Sequence, residues 1–493
     1  MGEVVVTTLG PVVGSRENGV RRWLGIPYAA APFGANRLRR PKEHPGWTEV
    51  RDATRPGPTV PKAPYRVPFD ALLPEPHIAG DECLNLNIWA PQQAAGLPVL
   101  FWIHGGAYVN GSGIVPHYDG SAFARDGVVC VTLNYRLGAE GFLYTGDEHS
   151  NNGLRDQIAA LQWVRDNIAA FGGDPQQVTI AGESAGAISV ACLMSSPRAA
   201  GLFHRAISQS GSGHIALQPG NAKQITELFA QRLQIEPTRQ AFAALDLDRL
   251  VAEVAAVRIE MAANPDPRVW GEAAQHGMAM EPVIDGDVLP RLPIEALREG
   301  AGQGVPLLVG TNRHEFHFFA VPIGSMAAVT DELLKLALMG YGYDPEALDV
   351  LGAGTDQPGE MLTRLITEWY FWIPSIRLAE ALGRRGTQAY LYEFAWRTPI
   401  FDGKVGAGHY LEVPFVFDTL GVETEALLGP KPPQPLADAV HGAWVGFVKT
   451  GEPGWAPYDE RSRTTMVFDE VSAAQQDPHA RNRAAWDKAK IPR

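Results

Sequence analysis

The run Val178-Thr179-Ile180-Ala181-Gly182-Glu183-Ser184-Ala185-Gly186-Ala187 decides the architecture. Val178 to Ala181 is a short apolar, partly β-branched stretch that reads as a strand; Gly182 to Gly186 then turn sharply, and small and aliphatic residues continue to Met194 as a helix does. A serine at such an elbow is held on a strained turn with its hydroxyl exposed above the sheet edge, and the flanking glycines let strand and helix approach closely. The bare pattern Gly-x-Ser-x-Gly is weak, since a chain of this glycine and serine content meets it by chance in about one case in six. Its place where strand meets helix, found nowhere else in the sequence, gives it weight.

Outward from the elbow, Val99 to Ile103 and Val128 to Leu133 are continuous apolar runs expected to be central strands covered on both faces. Leu154, Ile158, Leu161, Val164 and Ile168 recur at steps of four and three, marking an amphipathic helix that stops at Gly172-Gly173-Asp174-Pro175. Strand, helix and the Val178 strand form a βαβ crossover, so the sheet is parallel here and Ser184 falls at a carboxyl edge, where open α/β sheets place ligands. Farther upstream, Val4 to Trp23 reads as an antiparallel edge, Gly25 to Ala29 as loop, and Asp81 to Pro91 as a half-buried alternating strand. Downstream, helical stretches over about 213–277 and 331–382 read as insertions over the sheet. Between them Met280 to Pro290 is expected to be extended and Leu307 to Val309 a buried strand; Tyr390 to Trp396 alternates as another strand.

Composition limits the function classes. The 493 residues carry no linker-like tract or repeat, so one catalytic domain spanning 1–493 with helical insertions is expected. The net charge of −13, spread along the chain, argues against nucleic acid and anionic membrane as partners. The start lacks a basic leader with a long apolar core, and no apolar run of membrane-spanning length follows, so a cytoplasmic protein, or one that has lost its leader, is expected. Cys83, Cys130 and Cys192 are an odd count in apolar surroundings and read as buried free thiols.

A serine hydroxyl needs a base to take its proton and a carboxylate to fix that base's tautomer, and after an elbow of this kind they follow in the order serine, acid, histidine. Glu315, after the Leu307 strand and the turn Gly310-Thr311-Asn312-Arg313, is the acid candidate; Asp285, Asp402 and Asp418 are the fallback positions. His409, behind a loop containing Gly403, Gly406 and Gly408, is the base candidate. The strand end His104-Gly105-Gly106-Ala107-Tyr108 offers backbone N–H groups for a developing oxyanion, joined by the amide of Ala185 after the nucleophile. The competing reading of His314-Glu315-Phe316-His317 as a zinc site is weak, because the zincin pattern needs histidines at i and i+4 on a helix. No dinucleotide or Walker glycine pattern is present, and no cofactor is expected.

Taken together, these motifs make the chain resemble the type-B carboxylesterases, the cholinesterase-like branch of the α/β-hydrolases, and particularly their bacterial para-nitrobenzyl-esterase-like members. The resemblance rests on Gly25 to Ala29, Asp81 to Leu84, His104 to Tyr108, Asn134 to Arg136, Gly172 to Pro175, Gly182 to Gly186, and His409 with Glu412 to Phe417. It implies a large, mostly parallel central sheet with helices on both faces, Ser184 as nucleophile, Glu315 as acid, His409 as base, and Gly106, Ala107 and Ala185 as the oxyanion hole. It further implies a small-molecule ester as substrate and a monomer; the alternative is a non-catalytic binding protein of the same fold. Three departures stand out: His314 and Phe316 flank Glu315 where the family usually has Asp and Gly; the Glu-Asp pair before the family cysteine is inverted to Asp81-Glu82; and Cys83 has no upstream partner. The short loop Pro61 to Gly80 lacks the tryptophan that grips quaternary ammonium, which makes choline esters poor candidates. Tyr108, Tyr65, Phe69, Phe371 and Trp372 are the candidate substrate-lining aromatics.

Overall fold

The computed structural model describes residues 3–343 and 348–487; positions 344–347 of the second helical insertion lie outside the described residues. In chain order the strands are β1 (Val4–Thr7), β2 (Gly10–Val13), β3 (Ser15–Glu17), β4 (Val20–Pro27), β5 (Arg51–Asp52), β6 (Asn85–Pro91) and β7 (Leu97–Ile103). They continue with β8 (Val129–Leu133), β9 (Gly173–Glu183), β10 (Arg205–Gln209), β11 (Leu307–Asn312), β12 (Ala389–Phe394), β13 (Thr464–Phe468) and β14 (Ala473–Gln476). Eleven of them form one sheet in the order β14-β13-β12-β11-β10-β9-β7-β8-β6-β4-β3. It is parallel from β8 across to β13 and antiparallel at both margins.

The central strands are apolar at consecutive positions because both faces are covered. Along β7, Val99, Phe101 and Ile103 join the core on one face, while Leu100 and Trp102 join the core on the other. Helix Asn152–Asn167 closes the crossover into β9; it tightens to a 3₁₀ turn over Ile168–Phe171 and ends on Gly172 in the left-handed region (φ 92°). Helices Pro219–Leu233 and Leu247–Ala263 occupy the first long insertion, and Asp331–Tyr341, Pro358–Thr367 and Ile373–Gly383 the second.

Several local expectations are corrected. Gly25 to Pro27 are not loop but the end of β4, which pairs with β6 past an irregularity between Trp23 and Ile26. β6 begins only at Asn85 and is buried on both faces; its polar residues survive burial because Asn87 Nδ2 donates to Gly113 O and Thr132 Oγ1 while its Oδ1 accepts from Gly25 N–H. β1 and β2 belong to a separate small sheet completed by β5, and only β3 and β4 edge the main sheet. Met280 to Pro290 makes a single bridge, Val283 with Leu217, instead of a strand. β12 is buried at every position where alternation suggested one exposed face, and β10, β13 and β14 had no counterpart in the sequence reading.

Candidate active site

Parallel registry brings the candidate residues to one edge. Ile103 is opposite Gly182, Glu183 opposite Gln209, and Gln209 opposite Gly310, so the ends of β7, β9, β10 and β11 lie side by side. The ladder runs one step past the strands: Ser184 N–H donates to Gln209 O at 2.9 Å and Ser210 N–H to Gly310 O at 2.8 Å. Ser184 has φ 56° and ψ −122°, a conformation that a non-glycine residue adopts only when its surroundings impose it. Those surroundings require glycine on both sides: a Cβ on Gly186 would stand 2.0 Å from Ile103 O, and one on Gly182 2.5 Å from the Gly186 carbonyl carbon. Helix Ala185–Ser195 then leaves the elbow buried along its whole length.

The imidazole of His409 lies between two carboxylates. Nδ1 donates to Glu315 Oε2 at 2.6 Å, and Nε2 is 3.0 Å from Glu183 Oε1. Glu315 is fully buried, and its other oxygen accepts from Ser210 Oγ (2.5 Å) and Asn312 N–H (2.7 Å), so three donors replace the water it has lost. Glu183 Oε1 has no hydrogen-bond partner among the described residues, so the approach of Nε2 is a charge contact that lacks hydrogen-bond direction. Burial by itself lowers the pKa of His409, but Glu183 and Glu315 outweigh it and hold the imidazole well above its ordinary value. Burial raises the pKa of Glu183, with His409 opposing. No hydrogen bond joins Ser184 Oγ to His409 among the described residues, as is common before a substrate aligns the pair.

Further residues complete this edge. Asn312 Nδ2 donates to Gly408 O at 2.7 Å and to Glu412 Oε2 at 2.6 Å, tying the end of β11 to the loop that carries His409. Glu412, fully buried, also accepts from Gln209 Nε2 at 3.0 Å; burial first, then Glu183 and Glu315, push its pKa up to about 8. Phe319 and Phe371 pack against the imidazole at 5.1 and 5.0 Å. Of these, the sequence offers only Phe371 as a candidate site residue; Asn312 and Glu412 stand in quoted motifs without a role. Ser210, Asn312 and Phe319 carry no local signal of such a role, whereas Glu412 lies three residues past His409 in a quoted motif and Glu183 stands inside the elbow itself.

The loop after β7 runs through Gly106, Ala107 and Tyr108 at φ of 106°, 53° and 60°. Gly106 has no room for a side chain, since a Cβ there would be 2.3 Å from Asn110 O. Gly105 likewise abuts Glu183 and Ser184, which brings the loop against the elbow. The N–H groups of Gly106 and Ala107 donate to no group among the described residues, and Ala185 opens its helix with a free N–H.

The remaining aromatic candidates separate. Tyr65 and Phe69 line a cleft of about 120 Å³ beside the loop, reached also by Val109 and Phe319. Tyr108 does not line it: its ring is fully buried against Phe142 at 4.5 Å and its hydroxyl accepts from Ser189 Oγ at 3.3 Å, because a left-handed backbone turns it into the core. Trp372 lines a different, charged cavity with His314, His317 and His479. The zinc reading of His314-Glu315-Phe316-His317 fails on direction. Glu315 faces His409, whereas His314 Nδ1 accepts from Ala407 N–H and His317 Nδ1 donates to Lys404 O. Among the described residues no group of three or more His, Cys, Asp or Glu is placed to hold a metal ion. The fallback acids lie elsewhere: Asp285 is taken by Ser150 and backbone N–H groups, Asp418 by Gln434 and Arg125, and Asp402 lines the charged cavity. All three cysteines are buried free thiols, and no described helix is long and apolar enough to cross a membrane.

A family model described as "Carboxylesterase family" matches residues 2–340 and 343–486. The chain is 37% identical to the para-nitrobenzyl esterase of Bacillus subtilis (strain 168) across 98% of both sequences. It is 35% identical to the phenmedipham hydrolase of Pseudarthrobacter oxydans across 91% of this chain and 90% of that one. Among solved structures, a carboxylesterase of Geobacillus stearothermophilus superposes with a TM-score of 0.84 at 37% identity, covering 98% and 99% of the two chains. A thermophilic para-nitrobenzyl esterase superposes with a TM-score of 0.87 at 35% identity, covering 98% and 100%.

Proposed function

The chain belongs to the carboxylesterase family and hydrolyses carboxylic esters, and we propose that it does so through an acyl-enzyme on Ser184. In this reading His409 Nε2 takes the proton as Ser184 Oγ attacks the ester carbonyl. Glu315 holds Nδ1–H, so that Nε2 carries the free lone pair, and stabilises the imidazolium as it forms. The amides of Gly106, Ala107 and Ala185 receive the oxyanion. His409 then protonates the departing alcohol, and water attacks the acyl-enzyme by the same route in reverse.

The observation that carries the reading is the 2.6 Å bond from His409 to a Glu315 that, among the described residues, is otherwise bonded only to Ser210 and Asn312, at the same sheet edge as the strained Ser184. His409 must lose its proton before it can act as base, so activity should rise with pH through a limb above the ordinary imidazole range. The proposal extends to a monomer acting in one domain. A para-nitrobenzyl ester, the substrate type in the name of the Bacillus relative, is the first to assay. Modification by an organophosphonate should add one adduct, located by peptide mass at Ser184; an adduct elsewhere in an inactivated enzyme would defeat the assignment.

A further inference from the structure

The cleft beside the oxyanion loop carries charge that catalysis does not use. Its walls are largely apolar, with Tyr65, Phe69, Leu250, Val254 and Phe319 among them, yet Lys62, Arg66 and Arg258 also line it. None of the three forms an ion pair among the described residues. Arg258 donates from one nitrogen to Asn110 Oδ1 at 2.8 Å, Lys62 Nζ donates to Pro76 O at 3.2 Å, and the Arg66 side chain has no partner among the described residues. Burial lowers the pKa of Arg258; Tyr65 opposes that shift most, Arg66 adds a smaller repulsion, and Glu75 opposes it least.

The nearby carboxylates offset this charge only in part. Glu140 lines the cleft but is held by Arg37 at 2.7 Å. Glu75 accepts from Asn110 and from the N–H groups of Gly111 and Tyr65; it acts on Lys62 and Arg258 by charge, without forming an ion pair with either. Three cations on one cleft, none with an ion-pair partner among the described residues, give it a local positive charge that suits an anionic ligand. The cleft adjoins the reacting groups at both ends of its wall: Val109 and Asn110 follow the Gly106-Ala107 turn, and Phe319 touches the His409 ring. Its volume of about 120 Å³ suits a short chain, since an apolar cavity of roughly 150 Å³ admits a benzene ring.

We infer that the enzyme prefers short-chain esters bearing a carboxylate or similar anion remote from the ester bond, with Arg258 as the residue that receives it, assisted by Lys62 and Arg66. This rests on the serine-esterase reading above and narrows its substrate class. The anion would form charge-assisted hydrogen bonds to guanidinium nitrogens, foremost those of the half-buried Arg258, among apolar side chains that strengthen them.

The test compares matched esters on either side of the bond. On the acyl side, mono-para-nitrophenyl glutarate is set against para-nitrophenyl valerate; on the alcohol side, 4-(carboxymethyl)phenyl valerate is set against 4-ethylphenyl valerate. After subtraction of the uncatalysed rate, kcat/KM for the anionic member of at least one pair should exceed its partner by about tenfold or more at low salt. The excess should shrink as ionic strength rises. Arg258→Met should bring that ratio towards one, and Arg258→Lys should restore part of it. Equal or lower kcat/KM for both anionic esters with the wild-type enzyme, or a ratio that Arg258→Met leaves intact, overturns the inference. Because the neutral esters report turnover independently, that failure is distinct from failure of the serine reading, which would appear as turnover of either ester type surviving Ser184→Ala.

Discussion

Glu315 and Glu183 reach the two nitrogens of one imidazole, at 2.6 and 3.0 Å, yet they are built differently. Both oxygens of Glu315 accept from a donor: Oε1 from Ser210 and Asn312 N–H, Oε2 from His409. Glu183 has the same burial, but its Oε1 lacks any hydrogen-bond partner among the described residues, and burial raises its pKa. A carboxylate that must orient a ring is saturated with hydrogen bonds, because orientation is a matter of geometry. One that only biases the ring's charge can act by proximity. On this difference Glu315 is expected to hold His409 in place, and Glu183 to shift the pH at which His409 gives up its proton.

Ser184→Ala sets the ceiling for this comparison. It should cost about 10⁴ to 10⁶ in kcat while far-ultraviolet dichroism stays unchanged, and a purified variant that keeps its turnover would remove the reason to compare the two glutamates at all. Glu315→Gln comes next, with kcat falling by about 10² to 10⁴ because the amide neither fixes the tautomer nor stabilises the imidazolium. Full activity in that variant would leave Glu315 a structural bystander. Glu183→Gln should cost less at high pH and should show itself in the profile. With one of the two carboxylates gone, the pKa of His409 drops, so the ascending limb of kcat/KM should move to lower pH and relative activity at pH 6 should rise. A limb that stays in place would show that Glu183 does not govern His409. His317→Ala, two residues from Glu315 but facing Lys404 O and Glu360, should leave kcat within about threefold of wild type and marks the floor.

How far the sequence reaches depends on whether a residue's role is local. The elbow at Ser184 and the glycines around it are a local geometry, so their reading needs only neighbours in the chain. Glu315 and His409 follow a strand end and a glycine-bearing loop, which places them at an edge without specifying their contact. The residues that bind this edge together pair across 105 positions (Ser210 with Glu315), 100 (Asn312 with Glu412) and 203 (Gln209 with Glu412). Nothing near them in the chain announces such partners, because strand order creates them. β10 went unread for a related reason: Arg205-Ala206-Ile207-Ser208-Gln209 is as polar as a loop, yet it lies between β9 and β11 with Ile207 buried on one face of the sheet and Ala206 on the other. Tyr108 was misdirected because a sequence shows that an aromatic follows a glycine turn but not which way a left-handed backbone turns it.

The side chain of Asn312 has a thermal consequence. It bonds the carbonyl of Gly408 and the carboxyl of Glu412 from the end of a strand in the middle of the sheet, while Glu315 bonds the neighbouring strand's Ser210. The histidine-bearing loop is thereby fastened to the slowest-melting part of the molecule instead of hanging from its own flexible glycines. Heat should therefore extinguish turnover only when the sheet itself gives way. The midpoint for loss of activity should coincide with that for loss of ellipticity in wild-type enzyme, and in Asn312→Ala activity should vanish several degrees before the fold does.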